Sequence, residues 1–382
     1  MTVAQQHQSE KKIKVPYIDM PLAYQLQREA ILARVDDILS GAKLILRQET
    51  QELEEKAAKF LGVKYAVGVG NGSDAIYFAL KAAGINTGDE VITVAHTFVA
   101  TLAAIKRCGA KPVLVDIGPD FNMDPALIEK SITSKTRGIM PVHLNGRCCD
   151  MTAIDKIAKK HDLVIVEDAA QAFGASLNGV YAGGFGAAGA FSFHPMKVLA
   201  CSGDGGLVTT DDEDIAQQIK LLRNHGQDNN KNLIQYGYNS RLDNLQAAIL
   251  LERLQHLDKA LLRRREVASM YDEGFSGVTA INSPPPPGSG PYHDIFSSYV
   301  ICHDNRDELA AHLTKNDIMT FSHWSPPVHK QEGLKVEPVE LPVTEDLSNR
   351  VLSLPIYPEI SNQQVEYVIA KVTEFCESSK VV

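Results

Sequence analysis

Lys197 ends the run Phe191-Ser192-Phe193-His194-Pro195-Met196-Lys197 and is followed by Gly203-Asp204-Gly205-Gly206. Upstream, Asp168 closes the apolar run Val164-Ile165-Val166-Glu167-Asp168. Further back, Tyr65-Ala66-Val67-Gly68-Val69-Gly70-Asn71-Gly72-Ser73-Asp74 passes from a strand through a glycine-rich turn into a helix start. These three groups suit one chemistry. A lysine condenses with a cofactor aldehyde, is displaced by a substrate amine, and then moves protons from the position it has vacated. An acid at the C-terminal end of a buried strand, where open α/β sheets bind ligands, would keep a cofactor ring nitrogen protonated and so let the ring accept an electron pair. Backbone N–H groups of Gly72 and Ser73 at a helix N-terminus would hold a phosphate. The cofactor with an aldehyde, a ring nitrogen and a phosphate is pyridoxal 5'-phosphate.

Each piece also has a plainer reading. Most lysines are solvated and charged, and Asp168 before Ala169-Ala170-Gln171 would cap a helix well. The glycine turn imitates a dinucleotide fingerprint, which makes a nicotinamide-dependent oxidoreductase the rival. That rival needs glycine where Ser73 stands and an acid after the next strand, whereas Asp89-Glu90 precede it. Two further residues fall in place around Lys197. Ser192, five residues before it, offers a hydroxyl to the same phosphate or simply bonds its own backbone. Phe98, after a strand, would stack on the ring or serve as core.

The elements that must position these residues form an α/β pattern. Strand candidates are 65–69, 90–95, 111–116, 138–143, 163–167, 189–193 and 207–210, with helical segments between them. Unbroken apolar runs such as 163–166 predict a mostly parallel sheet covered on both faces. Helices are expected at 22–41 and 49–61, along one long stretch from 242 to 275, at 306–316 and at 362–376, with a strand at 298–302. Pro284 to Pro287 with Gly288 and Gly290 reads as a stiff linker or surface excursion. The expected division is a large α/β domain over residues 1–255, its N-terminal helical segment 1–62 included, and a smaller α+β domain over 256–382.

At 382 residues the chain has ample burial capacity, and its net charge of -9 disfavours nucleic acid or anionic lipid as partners. An anionic substrate would have to be gripped by local arginines. The six cysteines show neither metal-ligand spacing nor the density of a secreted disulfide scaffold, and the histidines show no ligand spacing, so no metal is expected. A polar N-terminus and the lack of a long apolar run lead to the expectation of a cytoplasmic protein.

Taken together, Asn71-Gly72-Ser73-Asp74-Ala75, Thr97-Phe98-Val99-Ala100-Thr101, Glu167-Asp168-Ala169-Ala170-Gln171, Phe191 to Lys197, and Gly205-Gly206 resemble the DegT/StrS-type sugar aminotransferases. The likeness extends to Gly237-Tyr238-Asn239-Ser240-Arg241-Leu242 and Ser353-Leu354-Pro355-Ile356-Tyr357-Pro358. It implies a fold-type-I homodimer with a seven-stranded sheet and a smaller C-terminal domain. It also implies Lys197 as the Schiff-base lysine, Asp168 on the ring nitrogen, Gln171 near the ring hydroxyl or face, and Gly72, Ser73 and Ser192 on the phosphate. Asn239 would complete the phosphate site of the neighbouring subunit. The implied reaction is ping-pong, from L-glutamate to a sugar carbonyl. A related dehydratase branch carries histidine where Lys197 stands, and a cofactor-binding sensor is a further alternative.

The chain departs from the family pattern at Leu44-Ile45-Leu46-Arg47-Gln48-Glu49 and at Asn145-Gly146-Arg147, each of which introduces an arginine. Arg47 and Arg147 are therefore candidates to bind an acceptor carboxylate bidentately, the alternative being ordinary surface ion pairs. If they do, the acceptor is a free acidic sugar, an octulosonate aminated at its terminal carbon for lipopolysaccharide. Otherwise it is a nucleotide-linked keto-6-deoxyhexose. His323, beside Trp324, falls where the C-terminal domain would approach the site and is a candidate contact for sugar hydroxyls.

Overall fold

The computed structural model describes residues 15–288 and 290–378. Two helices, α1 (Met20–Ser40) and α2 (Gln48–Leu61), open the chain. Seven strands of the described chain then form one sheet: β1 (Tyr65–Val69), β2 (Glu90–Val94), β3 (Lys111–Val115), β4 (Thr136–Ile139), β5 (Val164–Asp168), β8 (Ala188–Ser192) and β9 (Gly206–Thr210), in the spatial order β1-β9-β8-β5-β4-β2-β3. All neighbours pair parallel except those of β9, which runs antiparallel to both β1 and β8. Helices α3 (Gly72–Ala82), α4 (Val99–Arg107), α5 (Met151–His161) and α6 (Glu213–Arg223) connect and cover the strands. The buried runs Val67–Val69, Ile92–Val94 and Ile165–Val166 are what a sheet covered on both faces requires.

β1 is an edge strand, and its free backbone is occupied by side chains. Glu54 of α2 accepts from the Gly68 N–H at 2.8 Å, Arg223 of α6 donates to the Gly68 carbonyl at 2.7 Å, and the two side chains pair with each other. That arrangement closes the edge to further strand pairing.

Sequence reasoning missed the small hairpin β6 (Ser176–Leu177) and β7 (Val180–Tyr181), which pairs with β10 (Tyr292–His293). Two-residue strands carry too little alternation to be seen. The long helix expected from 242 to 275 is two helices, α7 (Asn244–Leu254) and α8 (Leu257–Gly274), because the chain turns at Gln255-His256. The C-terminal part contains β11 (Tyr299–Cys302) paired antiparallel with β12 (Val351–Leu354), flanked by α9 (Arg306–Lys315), α10 (Pro342–Arg350) and α11 (Asn362–Ser378). Its core gathers Val267, Tyr271, Tyr299, Leu309, Leu352 and Val368. Val15 belongs to this core and not to the large sheet: its N–H donates to the Asp317 carbonyl at 2.9 Å, and its carbonyl accepts from Met319. The described residues therefore begin on the C-terminal unit, at Val15, before α1 crosses to pack on α7. Of α1, only Ile31 and Ile38 are buried, while Leu26 and Leu39 point outward. No described helix is long and apolar enough to cross a membrane.

Candidate active site

The strand order places the ends of β5 and β8 side by side, with Asp168 opposite Ala190 in register. Asp168 therefore lies beside the chain that leaves β8 through Ser192 and returns to Lys197. Lys197 and Asp168 sense each other's charge, but burial acts more strongly on both. It lowers the Lys197 ammonium below its ordinary value, which the Asp168 charge partly opposes. It raises the Asp168 carboxyl, against which Thr101, the Ala170 N–H and Lys197 all act. A desolvated lysine whose amine is made accessible in this way is the nucleophile that Schiff-base chemistry needs.

The Asp168 carboxylate is held from two sides. Thr101, on α4, donates to Oδ2 at 2.8 Å, and the Ala170 N–H donates to Oδ1 at 3.2 Å. Behind Thr101, the Thr97 hydroxyl lies 2.8 Å from the Thr101 oxygen. The adjacent Glu167 points the other way. It is wholly buried and accepts from the N–H groups of Gly183, Phe185 and Gly186 at 2.7 to 2.8 Å and pairs with His143 Nε2 at 2.9 Å. His143 Nδ1 accepts from the Cys149 N–H at 3.1 Å, so the proton sits on Nε2 and the imidazole is neutral. This closed set of donors ties the end of β5 to the turn before β8 and leaves no buried lone pair of Glu167 stranded.

The phosphate cradle forms where α3 begins. Asn71 caps the helix by accepting from the Asp74 N–H at 2.8 Å. Among the described residues, the amides of Gly72 and Ser73 donate to no protein acceptor. Gly72 is required here by close approach: a Cβ on it would lie 2.6 Å from Ser192 Cβ. Gly206 is required likewise, since its Cβ would lie 2.4 Å from the Asn71 carbonyl oxygen. The first turn of α3 is thus seated on the ends of β8 and β9, with two unpaired amides and the Ser192 hydroxyl together. Those donors fit a phosphate, and a desolvated lysine beside a held carboxylate fits an aldehyde-bearing pyridine.

Gln171 lies three residues beyond Asp168, and its Oε1 accepts from the Asn145 N–H at 2.9 Å. With the oxygen so occupied, the carboxamide N–H₂ is the end left to donate. Phe98 is 58% exposed, and its ring centroid stands 6.0 Å from that of Trp324, which reaches over from the C-terminal unit. His323, next in line, bonds Ser353 Oγ through Nδ1 at 2.7 Å. Burial first and the Lys197 charge second push its imidazole down to about 4, so His323 is neutral at physiological pH. His96, at the end of β2, is pushed to about 4 by burial and by His323, and its Nδ1 is buried without a partner.

Three expected residues stand elsewhere. Asn239 is exposed in a segment joined to Asn224 by an isolated bridge and bonds nothing in the Asp168–Lys197 cluster of its own subunit. Arg47 is exposed at the start of α2 and, among the described residues, has no side-chain partner. It lines a recess of about 670 Å³ with Glu55, Lys64 and Lys220, and neither Lys197 nor Asp168 borders that recess. Arg147 is not a free cation. Its Nη1 donates to Asp294 at 2.6 Å, its Nε lies 3.5 Å from Asp120, and its guanidinium covers the Tyr292 ring at 3.7 Å. An incoming carboxylate would have to compete with two acids for it. Thr97, Thr101, His96 and Glu167 were given no role by sequence reasoning; Thr97 precedes the extended cap Phe98 of α4, so helical spacing does not reveal its contact with Thr101.

The model of the DegT/DnrJ/EryC1/StrS aminotransferase family matches residues 25–373. A pleiotropic regulatory protein of Geobacillus stearothermophilus is 42% identical over 95% of this chain and 99% of its own length. The UDP-2-acetamido-2-deoxy-3-oxo-D-glucuronate aminotransferase of Pseudomonas aeruginosa is 37% identical over 94% of this chain and 99% of its own. The crystal structure of DesV from Streptomyces venezuelae superposes with a TM-score of 0.92 at 38% identity, covering 96% of this chain and 99% of that one.

Proposed function

This chain belongs to the DegT/DnrJ/EryC1/StrS aminotransferase family and is a pyridoxal-phosphate-dependent sugar aminotransferase, and we propose that it moves an amino group from L-glutamate to the carbonyl of a nucleotide-linked keto sugar. The observation that carries the chemistry is Lys197 desolvated beside Asp168, with Asp168 held by Thr101 and Ala170. Pyridoxal phosphate, when bound, supplies the electrophilic carbon and the electron-accepting ring.

The chain's own residues do the rest. Gly72, Ser73 and Ser192 hold the phosphate. Asp168 keeps a proton on the ring nitrogen, and its two hydrogen bonds maintain the charge that burial opposes. Lys197 Nζ carries the proton between donor or acceptor carbon and cofactor in both half-reactions. Gln171 donates toward the ring hydroxyl, and Phe98 covers the ring. His323, neutral and held by Ser353, faces the acceptor as a hydrogen-bonding group and not as a cation.

Two observations favour a nucleotide-linked acceptor over the free octulosonate. The P. aeruginosa relative is named for a UDP-linked keto sugar, and the octulosonate reading leaned on two arginines, one of which is neutralised by Asp294 and Asp120. The other, Arg47, lines a recess that neither Lys197 nor Asp168 borders. Two copies of the chain would assemble so that Asn239 of the partner subunit completes the phosphate site. The exposed Leu233, Ile234 and Tyr236 just before it support such a contact. The unpaired, buried thiols of Cys108, Cys148, Cys149, Cys201 and Cys302 suit a reducing cytoplasm. Acceptor identity is tested by converting the enzyme to its amine form with L-glutamate and offering UDP- and dTDP-linked 3-keto hexoses beside a free keto acid sugar. Return of the original visible spectrum with the nucleotide sugars alone is the expected result. Return with the octulosonate alone would replace this reading.

A further inference from the structure

The Leu144–Gly146 turn joins two parts of the molecule. On one side, the Asn145 N–H donates to Gln171 Oε1. On the other, the Gly146 carbonyl accepts from the Ile295 N–H at 2.9 Å, in the segment through which the chain enters the C-terminal unit. The fit is tight: a Cβ on Gly146, whose φ is +84°, would lie 2.7 Å from both Ile295 Cγ1 and the Ser297 nitrogen. Asn145 itself has φ 58°, a conformation that asparagine tolerates better than most residues.

Arginines grip the crossing segment. Arg264 donates to the Phe296 and Ser297 carbonyls, and Arg265 donates to the Asp294 carbonyl at 2.6 Å. Both are on α8. Arg147 reaches the same segment through the Asp294 carboxylate, which is 6% exposed. Asn122 also supports the turn, by accepting from the Leu144 N–H at 3.0 Å, but it does not touch the crossing segment. Arg147 is thus the side chain that fastens the turn to the C-terminal unit.

We propose that Arg147 is a positioning residue: its ion pair with Asp294 fixes the Leu144–Gly146 turn so that the Asn145 amide holds the Gln171 carboxamide with its N–H₂ toward the cofactor. The proposal rests on the cofactor reading of Gln171. It makes the seating of the C-terminal unit and the orientation of one cofactor-facing donor a single mechanical system. It also gives Arg147 work that does not involve the acceptor.

The test uses the full-length protein in two arms. In the cofactor-free protein, Arg147→Ala and Asp294→Asn should each speed hydrogen exchange of the Asn145 amide by tenfold or more, while the Ala153 amide, bonded to Asp150 at the start of α5, stays unchanged. In the holoenzyme, both variants should release pyridoxal phosphate faster. They should also shift the pH midpoint of its visible band in the same direction as Gln171→Leu, and the double variant Arg147→Ala/Gln171→Leu should shift it no further than Gln171→Leu alone. Arg147→Lys, which keeps the charge, should restore part of both. An unchanged Asn145 exchange rate overturns the proposal. So does faster exchange with unaltered cofactor release and band midpoint, which would make the pair merely structural. A Gln171→Leu variant with normal cofactor behaviour overturns the reading of Gln171 and the proposal with it, with the exchange arm still reporting the coupling separately. A variant in which only the acceptor KM rises makes Arg147 a substrate ligand. If Arg147→Ala does not fold, Asp294→Asn carries the same comparison.

Discussion

Thr101 donates its hydroxyl to Asp168 Oδ2 at 2.8 Å, and the Thr97 hydroxyl stands 2.8 Å behind it. Because the Thr101 hydrogen is committed to the carboxylate, Thr97 must supply the hydrogen between the two threonines. The relay ends on a carboxylate that burial pushes toward neutrality. A neutral Asp168 would no longer hold a proton on the ring nitrogen, so the two threonines act on the reaction through the charge of Asp168.

Thr101→Val keeps the shape and deletes that donor. A hydrogen bond to a charged group contributes about 1.5–3 kcal/mol, which corresponds to a fall in turnover of about 10- to 150-fold if the loss is felt in the reaction. Cofactor should remain bound. Single-turnover rates with L-glutamate, normalised to bound cofactor, check this, and an unchanged rate would separate Thr101 from the ring-nitrogen function.

Gly72→Ala places a methyl group 2.6 Å from Ser192 Cβ. The helix start must then move away from β8, which separates the Gly72 and Ser73 amides from the Ser192 hydroxyl. We expect at least a tenfold weaker reconstitution with pyridoxal phosphate, measured by fluorescence titration of the cofactor-free protein. Gly333→Ala, where a Cβ meets nothing within 4 Å, is the matched control and should bind normally.

Acid should destabilise the cofactor-free protein in a specific window. His96 and His323 are both held at about 4 in the fold, below the ordinary 6.5. Between those values the unfolded chain binds more protons than the folded one, so stability is complete above about pH 6.5 and is lost as pH falls toward 4. Each site accounts for on the order of 3 kcal/mol. His323→Asn keeps a partner for Ser353 and removes the titration, so its unfolding free energy should fall less steeply from pH 6.5 to 4. Equal slopes for variant and parent would mean that His323 titrates normally in the fold.

The sequence made the sheet legible because most of its strands are apolar, about five residues long and punctuated by helices, whereas β4, with Thr136 and Arg137 in its four residues, begins before the apolar run expected at 138–143. Asp168 and Gly72 were legible because one ends a strand and the other starts a helix, and Lys197 because it closes the loop that leaves the next strand, β8, at Ser192. Asn145 and Arg147 show the limit of that reading. Arg147 looked like a free guanidinium, because nothing in the sequence indicates that Asp294, 147 residues away, meets it at 2.6 Å. The break between α7 and α8 was hidden because Gln255 and His256 are acceptable helix residues, and only packing turns the chain there. Val15 joins the C-terminal core through a bridge to Ile318, a pairing across 303 positions that periodicity cannot reveal.

The central claim, that Lys197 carries the cofactor and accepts an amino group from L-glutamate, is tested most directly by the visible spectrum of the purified protein. It should be recorded before and after L-glutamate is added without any sugar acceptor, for the parent and for Lys197→Ala. The parent should show a yellow band that L-glutamate bleaches to the amine form, and Lys197→Ala should lack that response. A colourless parent that pyridoxal phosphate cannot reconstitute, or a Lys197→Ala variant that bleaches like the parent, would contradict the account.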